Sequence, residues 1–120
     1  MDALQLAGRI ILENGGETYR AEDTLVRMGR AFGYASVEVF GIPSGLFISL
    51  TSADGGRETS VARIHKTGTH LLRVDEVNRI SRKVATGGCT PEQALSQLQQ
   101  AAVLEAYRPF WLPPLAAGSS

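Results

Sequence analysis

Cysteine occurs only once in the 120 residues, as Cys89. An internal disulfide framework is thereby excluded, and a lone thiol fits a reducing compartment. Histidine occurs twice, as His65 and His70, five positions apart with no third ligand nearby, so no metal site is expected. Neither charge is in excess: 12 Lys and Arg balance 12 Asp and Glu. A neutral chain lacks the basic surplus that displaces counterions from nucleic acid, so a nucleic-acid partner is not expected. No basic segment followed by an apolar stretch opens the chain, which argues against a secretory signal. No apolar run approaches the roughly 20 residues of a membrane span. The pairs Gly15-Gly16 and Gly55-Gly56 lack the GxGxxG or GxxxxGK spacing of phosphate loops. No serine stands in a nucleophile elbow. Cys89 follows a helix end, where the dipole disfavours thiolate, so a catalytic Cys–His pair is not expected. No cofactor is implied.

What is present is a clear alternation of periods. Leu4, Leu6, Ala7, Ile10 and Ile11 recur at helical spacing over residues 3–13, and Asn14-Gly15-Gly16 supplies a left-handed stop. Thr18 can cap a second helix whose stripe is Ala21, Leu25, Met28 and Phe32, closed by Gly33. Ser36–Phe40 alternates as a half-buried strand does. Ile42-Pro43-Ser44-Gly45 reads as a turn, Leu46–Thr51 as a second strand, Asp54-Gly55-Gly56 as a hairpin, and Glu58–Ile64 as a third strand. Leu71, Val74, Val77, Ser81 and Val84 return to helical spacing, ending at Gly87-Gly88. Thr90-Pro91-Glu92-Gln93 is a capping box with proline at the first helical position. Ala94, Leu95, Leu98, Ala101, Ala102 and Leu104 give the last helix its buried side, and Pro109 is expected to stop it. The fold class is α+β: a three-stranded antiparallel meander covered by about four helices, in the order α-α-β-β-β-α-α, with one sheet face needing cover.

Two charged clusters stand out. Glu13, Glu17, Arg20, Glu22, Asp23 and Arg27 crowd the break between the first two helices. They could form a polar site for a small zwitterion or a partner, where free backbone N–H groups add to the charges. They could equally be a solvated surface with ion pairs worth under ~1 kcal/mol each. Arg73, Asp75, Glu76, Asn78, Arg79, Arg82 and Lys83 form the second cluster. Asn78 lies beside the apolar stripe and is expected to be partly buried. It either organises contacts with the first cluster or is an ordinary exposed helix residue.

The chain closes on the uncharged run Pro109-Phe110-Trp111-Leu112-Pro113-Pro114-Leu115-Ala116-Ala117-Gly118, preceded by Arg108. A basic residue, an aromatic pair and then apolar residues suit the approach to a membrane. The alternative is a tail folding back on its own domain, with Trp111 filling a groove. The domain division expected is 1–108 for a soluble α+β unit and 109–120 for an apolar lead-in to a first membrane helix.

The order of motifs resembles a known family. Leu6-Ala7-Gly8-Arg9-Ile10-Ile11-Leu12-Glu13-Asn14-Gly15-Gly16-Glu17-Thr18-Tyr19-Arg20-Ala21-Glu22-Asp23-Thr24 resembles the opening of the threonine/serine exporter family of bacterial membrane proteins. Gly33-Tyr34, Ser36–Phe40 and Pro43-Ser44-Gly45-Leu46 are similar to its strand segment, Asp75–Arg82 to its third helix, and Thr90–Ala94 to the start of its fourth. The resemblance covers residues from about 4 to 112. It implies the hydrophilic N-terminal domain of an exporter of threonine and serine driven by the proton-motive force; some relatives are linked to dicarboxylate export. It places the domain on the cytoplasmic side of the inner membrane, with a regulatory or coupling role and no catalysis of its own. The implied partners are the transmembrane part of the same exporter, a small amino or carboxylic acid, and further copies as a homo-oligomer. The family's most recognisable polar positions fall on Glu17, Arg20, Glu22 and Asn78, with Arg79 and Arg82 beside them. Two rivals stand against this expectation. One is a small hydrolase using Glu17 or Glu22 as base; the other is a stand-alone interaction domain.

Overall fold

A computed structural model describes residues 1–65 and 68–104. The closing apolar run, with both expectations about it, lies outside the described residues. Four helices and three strands follow in the expected order: α1 (Asp2–Glu13), α2 (Thr18–Ala31), β1 (Ser36–Ile42), β2 (Gly45–Thr51), β3 (Arg57–Arg63), α3 (Leu71–Ala85) and α4 (Pro91–Ala101). The sheet is an antiparallel meander in the order β1-β2-β3. No helix among the described residues is long and apolar enough to cross a membrane.

Alternation along the strands sorts the sheet into two faces. Val37, Leu46, Ile48, Leu50 and Ala62 are buried on one of them. α1 packs on that face with Leu4, Ala7 and Ile11, and it also touches each of the other helices. Val77, Ile80 and Val84 of α3 and Ala94 and Leu98 of α4 complete one core. Each fully buried leucine or isoleucine contributes about 1.5–3 kcal/mol relative to exposure. Close approach is built in at Gly8, where an added Cβ would lie 2.5 Å from Leu46 Cδ2 and 2.9 Å from Leu25 Cδ1.

The junction between α1 and α2 sets the geometry of everything that follows. Gly15 takes a φ of +93°, and the Gly16 amide then donates back to the Ile11 carbonyl at 2.7 Å. This six-to-one bond closes α1 and lets the chain reverse within a few residues.

Several boundaries differ from the sequence-based expectation. Thr18 does not cap α2. Glu17 holds the N-cap with extended backbone and no side-chain capping bond. Thr18 instead packs over β1: a Cβ on Gly41 would lie 2.8 Å from Thr18 Cγ2. β1 reaches Ile42, which pairs with Gly45 across a two-residue turn, and β3 begins one residue early because Arg57 pairs with Thr51. α4 ends at Ala101, well before Pro109. Its exit is fixed by Arg73 Nε, which donates to the Leu104 carbonyl at 2.6 Å. The expected capping box is present: Gln93 N donates to Thr90 Oγ1 at 3.1 Å, and Thr90 N donates to Gln93 Oε1 at 3.0 Å.

Candidate functional site

The short α1–α2 junction brings the first turns of α2 alongside α3. Polar residues recur at helical spacing on the facing sides: Arg20, Asp23, Thr24 and Arg27 on α2, and Asn78, Ser81 and Arg82 on α3. Together they line a cleft of about 250 Å³. A second cleft of about 210 Å³ adjoins it, lined by Ile11, Gly15, Gly16, Glu17, Arg20, Leu71, Val74, Asp75 and Asn78. Arg20 and Asn78 belong to both, so the two clefts form one groove with these residues at its waist.

The groove is electrically lopsided. Its larger cleft carries three guanidiniums against the single carboxylate of Asp23, which Arg27 engages at 2.5 Å. Among the described residues, no carboxylate pairs with Arg82 and no group hydrogen-bonds the side-chain amide of half-buried Asn78. The smaller cleft carries the carboxylates of Glu17 and Asp75 against Arg20. Glu17 meets Arg20 Nε at 3.4 Å, both side chains being largely exposed. Arg20 also donates to the Tyr19 hydroxyl at 3.4 Å and lies 5.8 Å from the Tyr19 ring centroid. The hydrogen bond to the Tyr19 hydroxyl and the nearby Glu17 carboxylate raise the Arg20 pKa, so its charge is secure at any relevant pH.

Four of the six residues singled out from the sequence therefore line the groove: Glu17, Arg20, Asn78 and Arg82. Two do not. Glu22 turns to the sheet, where its Oε2 accepts the Gly41 amide at 2.9 Å. Arg79 is held by Glu76 through Nε–Oε1 at 2.9 Å and a second bond at 2.5 Å. Those two bonds lower the Glu76 pKa against the opposing effect of burial, and the same contact raises that of Arg79. Glu13 accepts the His65 amide at 3.1 Å and faces Arg9 at 3.7 Å, and it lines neither cleft. No cluster of three or more His, Cys, Asp or Glu side chains among the described residues is arranged to hold a metal ion.

Thr24 and Ser81 were not anticipated. Ser81 reads as part of an apolar stripe, yet its hydroxyl donates to the Asn78 carbonyl at 2.8 Å and borders the groove. Asn14 was read only as a helix stop. It is buried, donates from Nδ2 to the Ile10 carbonyl at 2.8 Å and accepts from Arg73 at 3.3 Å. Arg73 thus ties the end of α1 to α3 and to the exit of α4. The i, i+3, i+4, i+7 spacing of Arg20, Asp23, Thr24 and Arg27 is the pattern that could have identified the groove wall from the sequence.

Compared with known proteins, residues 2–120 match the family model described as "Putative threonine/serine exporter". No curated protein and no solved structure matches the chain.

Proposed function

The chain belongs to the threonine/serine exporter family, and on that premise we propose that it forms a regulatory or coupling domain of such an exporter. The domain acts on the cytoplasmic side of the inner membrane, without catalysis of its own, and binds a small amino acid in the groove between α2 and α3.

The observation that carries this reading is the lopsided charge of the groove. A carboxylate fits the larger cleft, where Arg82 has no acidic partner and the Asn78 amide is unsatisfied by the described residues. An ammonium fits the smaller cleft, beside Glu17 and Asp75. An α-amino acid carries both charges a bond apart from one carbon, and the waist at Arg20 and Asn78 is where it would straddle the two. Charge-assisted bonds of this kind are about twice as strong as neutral ones. The hydrolase alternative draws little support from its candidate bases: Glu22 is committed to the Gly41 amide and Glu17 is open to solvent beside Arg20.

Calorimetric titration of the chain with threonine, serine and succinate tests the reading. Heat is expected with threonine and serine, and less with succinate, whose second carboxylate would meet Glu17 and Asp75. Asn78→Ala and Arg82→Ala should abolish it, whereas Glu22→Gln should not. Absence of heat with all three would remove the ligand-binding role and leave docking to the membrane part of the exporter.

A further inference from the structure

α1 and α2 pack on one face of the sheet, with α3 and α4 packed on those helices, and the opposite face carries apolar side chains that nothing among the described residues covers. Phe40, Phe47 and Val61 stand directly opposite one another across the three strands, with Ile42 in the next row. Their relative exposures are 63%, 38%, 74% and 45%. A soluble surface leaves such aromatic and β-branched rows uncovered at a cost in solubility, and patches of this kind mark interaction sites.

We propose that this face is a self-association surface on which two copies of the chain pack sheet to sheet, β1 of one over β3 of the other. The distribution of charge selects this arrangement. Glu38 lies on β1, one row from the aromatic row, while Arg57 and Arg63 lie on β3. A two-fold axis parallel to the strands, through β2, lays the acidic edge of each copy over the basic edge of the other. It sets Phe47 against its own counterpart and Phe40 against Val61 of the second copy. A two-fold axis across the strands would instead lay β1 over β1 and β3 over β3, opposing like edges. Aligned sheets pack in this way about 10 Å apart.

The size of the face fixes the strength expected. Three strands of seven residues span about 23 by 14 Å at the usual rise and spacing. That footprint is small beside the roughly 800 Å² per partner of a standard stable interface. The pairing is therefore weak and reversible in the free chain, populated only at high concentration.

Sedimentation equilibrium of the 120-residue chain over a concentration series tests the proposal. A monomer–dimer equilibrium is expected. Phe47→Arg, which places two like charges on the axis, should weaken it more than tenfold, since such juxtaposition costs several kcal/mol. Phe40→Lys and Val61→Glu should each weaken it, and the double variant should restore it because the new charges face each other only between copies. Thermal melts by circular dichroism establish that each variant is folded. A wild-type chain that stays monomeric throughout overturns the proposal. So does a dimer indifferent to Phe47→Arg, which would place association elsewhere, for example on the apolar run 109–118. A monomer that binds anionic phosphatidylglycerol vesicles in a Phe47-dependent manner would also overturn it, in favour of a lipid surface.

Discussion

The carboxylate of Glu22 on α2 accepts the main-chain amide of Gly41 on β1 at 2.9 Å. β1 is an edge strand, and an edge amide needs a partner outside the sheet. Glu22 supplies it and fixes α2 against the strand. A charged acceptor of this kind contributes about 1.5–3 kcal/mol. Glu22→Ala should therefore lower unfolding stability in urea by an amount of that order, with Glu22→Gln losing less. Neither should change ligand binding in the groove.

Gly8 is a point of close approach between α1 and β2. Gly8→Ala would drive a methyl into Leu46 and Leu25, both buried, with a cost of about 1–3 kcal/mol. Chemical denaturation should show a lower midpoint with an unchanged slope. A neutral result would mean the α1 packing surface yields more readily than close-packed side chains allow.

Thr90 closes the capping box of α4 with Gln93. Thr90→Ala removes the side-chain acceptor and should cost about 1 kcal/mol. α4 packs on α1 and α3, but none of its residues lines the groove, so the loss should appear first in stability.

Acid sensitivity follows from Glu76. The two bonds from Arg79 hold its carboxyl below the ordinary carboxylate range. Its folded-state pKa is thus below the unfolded one. The stabilisation is fully present above the unfolded value and is lost as pH falls through the folded value. Wild type should exceed Glu76→Gln in stability at pH 7, and the gap should close as the pH drops below about 4, measured by urea midpoints across that range.

The fold was almost wholly legible because its elements follow separate periods and are punctuated by strong stops. Leu4 to Ile11 and Val74 to Val84 keep helical spacing, and Ser36–Phe40 keeps a period of two. Gly15, Gly33 and Gly87 all take positive φ at helix ends. What local sequence could not disclose was tertiary competition for side chains. Thr18 has the chemistry of a cap but is placed against Gly41. Pro109 is a helix breaker, but α4 already ends at Ala101, and Arg73 binds the carbonyl of Leu104 beyond it.

The groove was legible in part. Glu17, Arg20, Asn78 and Arg82 were singled out within the two charged clusters by the resemblance to the exporter family, and the fold places these four on the groove lining. Glu22 and Arg79 belong to the same clusters, but helical phase turns Glu22 toward β1, and Glu76, three residues before Arg79, takes that guanidinium. Pattern names the residues of a cluster; the rotation of each helix decides which of them share a cavity.

Amide chemical-shift mapping of the ¹⁵N-labelled chain during addition of threonine tests the central claim most directly. Perturbations should concentrate on α2 and α3 around Arg20, Asp23, Asn78 and Arg82, saturate with ligand, and vanish in Asn78→Ala. No perturbation by threonine or serine, or a response centred away from these two helices, would contradict an amino-acid site in the groove.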